Sequence, residues 1–305
     1  MKPIVTAVAA IWLLSLTACS TAASKVMANA LSAGGPSSRA FASDDDPELV
    51  KDAVPFGLKT MESVLEEQPR HVGLLTSLVA GFTQYSYAFV QSDADAAELD
   101  GKTALARAGR DRARRLYLRA RDYGLRGLDA RHHGLAARIQ AMKDLPAVLQ
   151  EAEREDVPLL YWTAASWALA ISDGKEQMDL VAELPAPQAL ADRALALDEG
   201  WGDGAVHEFF VSFDAALPAA AGGGAKAARA HLERALELSH GEKLGGLVAY
   251  AEGISVQVQD RREFEALLKQ VVDFDAEDHP RFRLANLLAQ RRAKLLLAHE
   301  DDLFP

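Results

Sequence analysis

The chain has 305 residues, 49% hydrophobic and 25% charged, enough apolar content for a full core and within the ordinary globular range. Its 33 basic residues face 44 acidic ones for a net charge of −11, and no basic block stands apart from acidic neighbours over a long face. A phosphate backbone is repelled on average, which excludes nucleic acid as a partner.

The chain opens MKPIVTAVAAIWLLSLTAC, with Lys2 ahead of an apolar run from Ile4 to Leu16 and small residues behind it. A membrane-crossing helix needs about 20 apolar residues, so residues 1–18 read as a secretory signal. Cys19 is the only cysteine. Its place after Leu16, Thr17 and Ala18 resembles the lipobox of bacterial lipoproteins, and lipid there would anchor the exported chain. A lone thiol forms no intramolecular disulfide, so the fold must stand on packing. Ser20 occupies the position where an inner-membrane retention signal shows aspartate, which points to the outer membrane.

Residues 19–43 read as a lipidated tether: alanine, serine and glycine dominate, including GGPSS at 34–38, with a short helical piece. DDDPEL then marks a helix start, Asp46 capping and Pro47 fitting the first turn. The folded part is placed at residues 44–305.

From there the periodicity is helical throughout, and no alternating strand pattern stands out. In GFTQYSYAFV, Phe82, Tyr85 and Phe89 share one face at i, i+3 and i+7. The fold class is all-α. In AARAHLERALELS, Ala228, Leu232 and Ala235 occupy the small-residue register of a tetratricopeptide unit. Equivalent registers are Gly57, Met61 and Val64; Ala120, Gly124 and Gly127; Pro187, Ala191 and Ala194; and Phe264, Leu268 and Val271. Their uneven spacing implies degenerate helix-pair repeats with inserted helices, stacked into a superhelix whose concave face binds.

Catalytic and cofactor signatures are missing: the sequence has no GxSxG, HExxH or GxxxxGK[ST]. GGGAK at 222–226 reads as a flexible turn. His132 and His133 are adjacent and point about 100° apart on a helix, so they do not clamp one metal. No cofactor or metal is expected.

Three stretches are more particular than scaffold requires. YWTAASWALAIS holds Trp162 and Trp167, five residues apart and so about 140° apart on a helix. One ring can pack between helices while the other faces a second surface, and periodicity does not say which. WGDGAVHEFF carries Trp201, His207 and Glu208 after a glycine-rich turn. RFRLANLLAQRRAKLLL sets Asn286 and Gln290 at i and i+4 in an apolar helix. Each aromatic taken alone is a core piece, and the amide pair can bond a neighbouring helix. Together they outline a mostly apolar cavity with a few polar groups.

These stretches, with DDDPELVKDAVPFGLKTMESVLEEQP, RRLYLRARDYGLRGL and ALALDEGWGDGAVHEFF, resemble the T component family of tripartite ATP-independent periplasmic (TRAP) transporters from Phe41 to Phe304. The resemblance implies a periplasmic lipoprotein of tetratricopeptide-like helix pairs, assembled as a homotrimer, with a cleft or pore in each subunit. It implies a small hydrophobic ligand and association with the transporter's substrate-binding protein. It carries Trp162, Trp167, Trp201, Glu208 and Asn286 to the cleft, and no catalytic residue. Two other readings remain: an envelope scaffold that binds only proteins, and an enzyme using His207 and Glu208 as acid and base.

Overall fold

A computed structural model describes residues 24–32 and 39–304. The signal segment, Cys19 and most of the tether lie outside the described residues. No strand occurs among the described residues, and no helix there is long and apolar enough to cross a membrane.

The helices are α1 (24–32), α2 (Arg39–Ala42), α3 (Pro47–Glu67), α4 (Val72–Tyr85), α5 (Ser92–Leu99) and α6 (Thr103–Arg131), with a π-helical turn at Ser86–Gln91 joining α4 to α5. There follow α7 (Leu135–Gln140), α8 (Leu145–Val148), α9 (Val157–Ser172), α10 (Met178–Val181), α11 (Pro185–Leu197) and α12 (Ala205–Ala216). The chain ends with α13 (Ala225–Leu238), α14 (Gly245–Tyr250), a second π-helical turn at Ala251–Ser255, α15 (Arg261–Asp273), α16 (Arg283–Ala298) and α17 (Glu300–Leu303).

Local chemistry sets the boundaries. Asp46 accepts from the amides of Glu48 and Leu49 and Pro47 opens α3, while Asp260 accepts from Glu263 N to start α15. The glycine turn before α13 needs left-handed backbone, φ +92° at Gly222 and +87° at Gly224. α6, about 43 Å long at 1.5 Å per residue, is the central rod and packs on α4 and α9.

The helices pack largely on their chain neighbours, and α16 returns to α2 and α3. One hydrophobic core runs from α1 to α12 and a second from α12 to the C-terminus, while Leu284 and Leu288 of α16 pack back onto the first. Arg291 Nη1 meets Glu48 Oε1 at 2.5 Å and Arg283 Nη1 donates to the Ser43 carbonyl at 3.3 Å. The helical path therefore closes on itself.

Burial falls on all three positions of four registers: Ala120, Gly124 and Gly127; Pro187, Ala191 and Ala194; Ala228, Leu232 and Ala235; and Phe264, Leu268 and Val271. α3 departs from the expectation. Its buried stripe is Val50, Val54, Leu58, Met61 and Leu65, and a Cβ on Gly57 would meet nothing within 4 Å. The tightest crossing is α6 on α9, where a Cβ at Gly124 would lie 2.0 Å from Thr163 Oγ1 and one at Gly127 2.5 Å from Leu159 Cδ2.

Candidate ligand site

Trp162 of α9 is half-buried and joins Tyr161 and Trp201 in one aromatic cluster. Ring centroids are 4.8 Å apart for Tyr161 and Trp162, 4.8 Å for Tyr161 and Trp201, and 6.5 Å for Trp162 and Trp201. α9 supplies two rings and the α11–α12 turn the third, so residues 40 positions apart in sequence form one wall.

Tyr87, on the first π-helical turn, is 56% exposed. Even so, desolvation by the surrounding protein pushes its hydroxyl up to about 12, with Glu252, Asp95 and Glu208 adding and Arg292 opposing. Tyr161 is raised too, by burial first and then by Glu208 and Tyr87.

The charged groups named here are engaged with one another. Glu208 is paired with Lys243, which also donates to the Gly202 carbonyl at 3.1 Å. Arg292 bonds Glu252, itself on the second π-helical turn, and lies 3.5 Å from Asp95, which accepts from Arg110 at 3.1 Å. Both π-helical turns thus contribute a side chain here, and such turns recur at functional sites.

Two residues assigned to the cleft by sequence sit elsewhere. Trp167 is 1% exposed; its Nε1 donates to Glu183 Oε2 at 2.7 Å and the Arg121 guanidinium lies 5.1 Å over its ring. Asn286 is fully buried, accepting from Leu244 N at 3.2 Å and donating to the Glu242 carbonyl at 2.8 Å. Both positions hold helices together, because every polar atom they carry has a protein partner. Gln290 donates to the Phe274 carbonyl at 2.6 Å and secures the end of α15.

His207 and Glu208 diverge. His207 Nδ1 lies 2.7 Å from His231 Nδ1 and its Nε2 3.1 Å from Glu199 Oε1, whereas Glu208 faces Lys243. No group able to hold a metal occurs among the described residues.

Sequence reading missed Tyr87, because it falls off the Phe82, Tyr85, Phe89 stripe. It also missed a basic face. Arg107, Arg112, Arg115, Arg119 and Arg126 are exposed on α6, and among them only Arg119 has a carboxylate partner, Glu62 at 3.5 Å. Two open grooves flank this ridge. One of about 390 Å³ is lined by Arg115, Arg119, Tyr123 and Arg126, the other of about 460 Å³ by Arg121, Met178 and Glu183, and Leu118 borders both.

Residues 43–304 match the family described as the TRAP transporter T-component. The chain belongs to that family. An uncharacterized protein of Treponema pallidum (strain Nichols) is 30% identical over 268 residues, covering 87% of this chain and 83% of its own. Membership makes the chain a component associated with a TRAP transporter, and such components are periplasmic or membrane associated.

Proposed function

We propose that this T-component is a lipid-anchored periplasmic protein, held through Cys19 and most readily at the outer membrane, which binds or channels a small hydrophobic ligand and docks the transporter's substrate-binding protein. The supporting observation is the half-buried cluster of Tyr161, Trp162 and Trp201, with the Glu208–Lys243 pair reaching the Gly202 carbonyl next to Trp201. Aromatic walls with a few oriented polar groups suit a ligand with an apolar body. Trp162, Trp201 and Glu208 remain the proposed contacts, with Trp167 and Asn286 as supports behind them.

The α6 arginines are the natural landing face for the partner. Arginines with few carboxylate partners favour an acidic patch on a docking protein and would set its orientation. Stacked helix pairs leave end faces that a homotrimer would cover. Native mass spectrometry of the purified protein, with extraction and identification of whatever co-purifies, tests the reading; a ligand-free spectrum from protein purified under mild conditions counts against it. The scaffold reading draws on the open α6 grooves and predicts that same empty spectrum.

A further inference from the structure

His207 of α12 and His231 of α13 meet nitrogen to nitrogen where the two helices pack. Their Nδ1 atoms lie 2.7 Å apart, His207 is 6% exposed, and Phe210 stacks on the His231 ring with centroids 4.9 Å apart. Two lone pairs repel at that distance and so do two N–H groups, so the contact holds one proton and only one.

The neighbours decide which ring accepts. Glu199 receives Arg234 on both oxygens, at 2.7 and 2.9 Å, and these bonds hold its carboxyl down at about 2. It is therefore an acceptor toward His207 Nε2 at 3.1 Å, which puts the His207 proton on Nε2 and leaves the Nδ1 lone pair for the Nδ1–H of His231. One added proton has a place on His231 Nε2, 3.8 Å from Asp214. A second has none, because two imidazolium rings would set Nδ1–H against Nδ1–H.

Among the described residues no further charge faces the pair. Glu208, next in the chain, is paired with Lys243, and Glu252 of the neighbouring π-helical turn with Arg292. α9 and α14, which also pack on α12, bring only Tyr161 and Tyr250 as ionisable groups. Burial first, and Asp192 of α11 second, push the Asp214 carboxyl up to about 6. Burial holds both histidines below their ordinary range, and the His207 charge adds to this at His231.

We infer that His207 and His231 form an acid-sensitive lock between α12 and α13, closed by a single shared proton and broken when both rings are charged. The lock is independent of the ligand reading, and its test needs no ligand. The unfolded chain takes up both protons as pH falls through about 6.5, whereas the closed pair takes up one, so stability falls with pH below that value. Asp214 works the other way between 3.8 and about 6, since its raised carboxyl stabilises the fold on protonation.

The histidine ring nitrogens of the exported chain, labelled with nitrogen-15 and followed by NMR from pH 8 to 4.5, count the protons. At pH 8 His207 should carry hydrogen on Nε2 and His231 on Nδ1, with a scalar coupling between the two Nδ1 atoms that disappears only as the second proton is taken up. Protection of the α13 amides should drop about ten-fold for each pH unit over which the unfolded chain holds one proton more. In His231→Asn the amide can turn either its NH2 or its oxygen to His207, so both charge states are accommodated and that drop should shrink several-fold; Asp214 is common to both proteins. Two rings titrating independently in their ordinary range, a coupling that survives full protonation, or equal pH dependence of the parent and His231→Asn overturns the inference. If His231→Asn does not fold, the coupling and the titration of the parent decide it alone.

Discussion

Trp162 and Trp167 leave the same helix in opposite directions and end in opposite settings: one is half-buried against Tyr161 and Trp201, the other sealed with its Nε1 on Glu183. Trp167→Ala removes a fully buried ring and its hydrogen bond, so it should cost about 3–5 kcal/mol and lower the melting temperature visibly. Trp162→Ala removes a partly wetted ring, so stability should change little while retention of a co-purified apolar ligand falls. Thermal unfolding and ligand analysis of the two variants, run together, distinguish these outcomes. Equal destabilisation with unchanged ligand would make both rings core.

Glycine positions give a second contrast. Gly124→Ala forces a methyl against Thr163 Oγ1, a hydroxyl already held by the Leu159 carbonyl at 2.5 Å, and should destabilise by about 1–3 kcal/mol through overpacking. Gly57 sits inside α3 with open space around its missing Cβ. Gly57→Ala should stabilise by about 0.5–1 kcal/mol, because the helix then orders a less flexible residue. Urea midpoints of the two variants check both signs.

The reach of sequence reading follows the same division between local and distant causes. The start of α3 was legible because Asp46 and Pro47 act on their immediate neighbours. Four registers were legible because small or apolar residues recur at helical spacing. In α3 only Met61 of the expected register is buried, and the rest of the phase was hidden, since Val54, Leu58 and Leu65 turn inward according to what α4 and the rest of the core present to them. Which tryptophan is sealed and which joins the aromatic cluster was equally hidden: Glu183, which seals Trp167, lies 16 residues away in the chain. Glu208 with Lys243 spans 35 residues and Asn286 with Glu242 spans 44, and neither spacing carries a local signal. Tyr87 stands two residues after Tyr85, about 200° round at ordinary helical spacing, which is why it escapes the stripe of its neighbours.

Asp173, at the end of α9, gives a pH prediction. Burial first, and the nearby Asp95 charge second, push its carboxyl up to about 7 from 3.8, and its Oδ2 is buried without a hydrogen bond among the described residues. Between those two values the folded state binds more protons than the unfolded one, so this group's contribution is full below pH 3.8 and is lost as pH rises toward 7. Asp173→Asn should therefore raise the melting temperature relative to the parent more at pH 8 than at pH 5. A constant difference between the two proteins across that range would contradict the assignment.

Anchoring makes a prediction that does not depend on the helical part. If lipid on Cys19 holds the protein, Cys19→Ser abolishes incorporation of labelled palmitate and leaves the folded part with an unchanged circular dichroism spectrum. Undiminished labelling of the variant would refute the lipoprotein reading.

The last prediction concerns a buried carboxylate that ties the end of α6 to the turn ahead of α9. Asp156 is fully buried; it bonds Arg131 at the end of α6, accepts from or shares a proton with His132 Nε2 at 2.7 Å, and accepts from Glu153 N at 2.8 Å ahead of α9. Asp156→Ala leaves the Arg131 guanidinium and two further groups facing a hole with no acceptor, and removing one partner from a buried ion pair costs about 3–5 kcal/mol. Asp156→Asn keeps one acceptor oxygen and nearly the same volume, so its cost should be clearly smaller, with the loss falling on Arg131 or His132 alone. Arg131→Ala relieves the demand for that charge while leaving Asp156 its histidine and its backbone bond. Combining Arg131→Ala with Asp156→Ala should therefore cost less than the sum of the two single changes, because the second removal no longer strands a cation. Urea unfolding of the four proteins reads the coupling directly, and strict additivity would mean that the network is three independent contacts and not one.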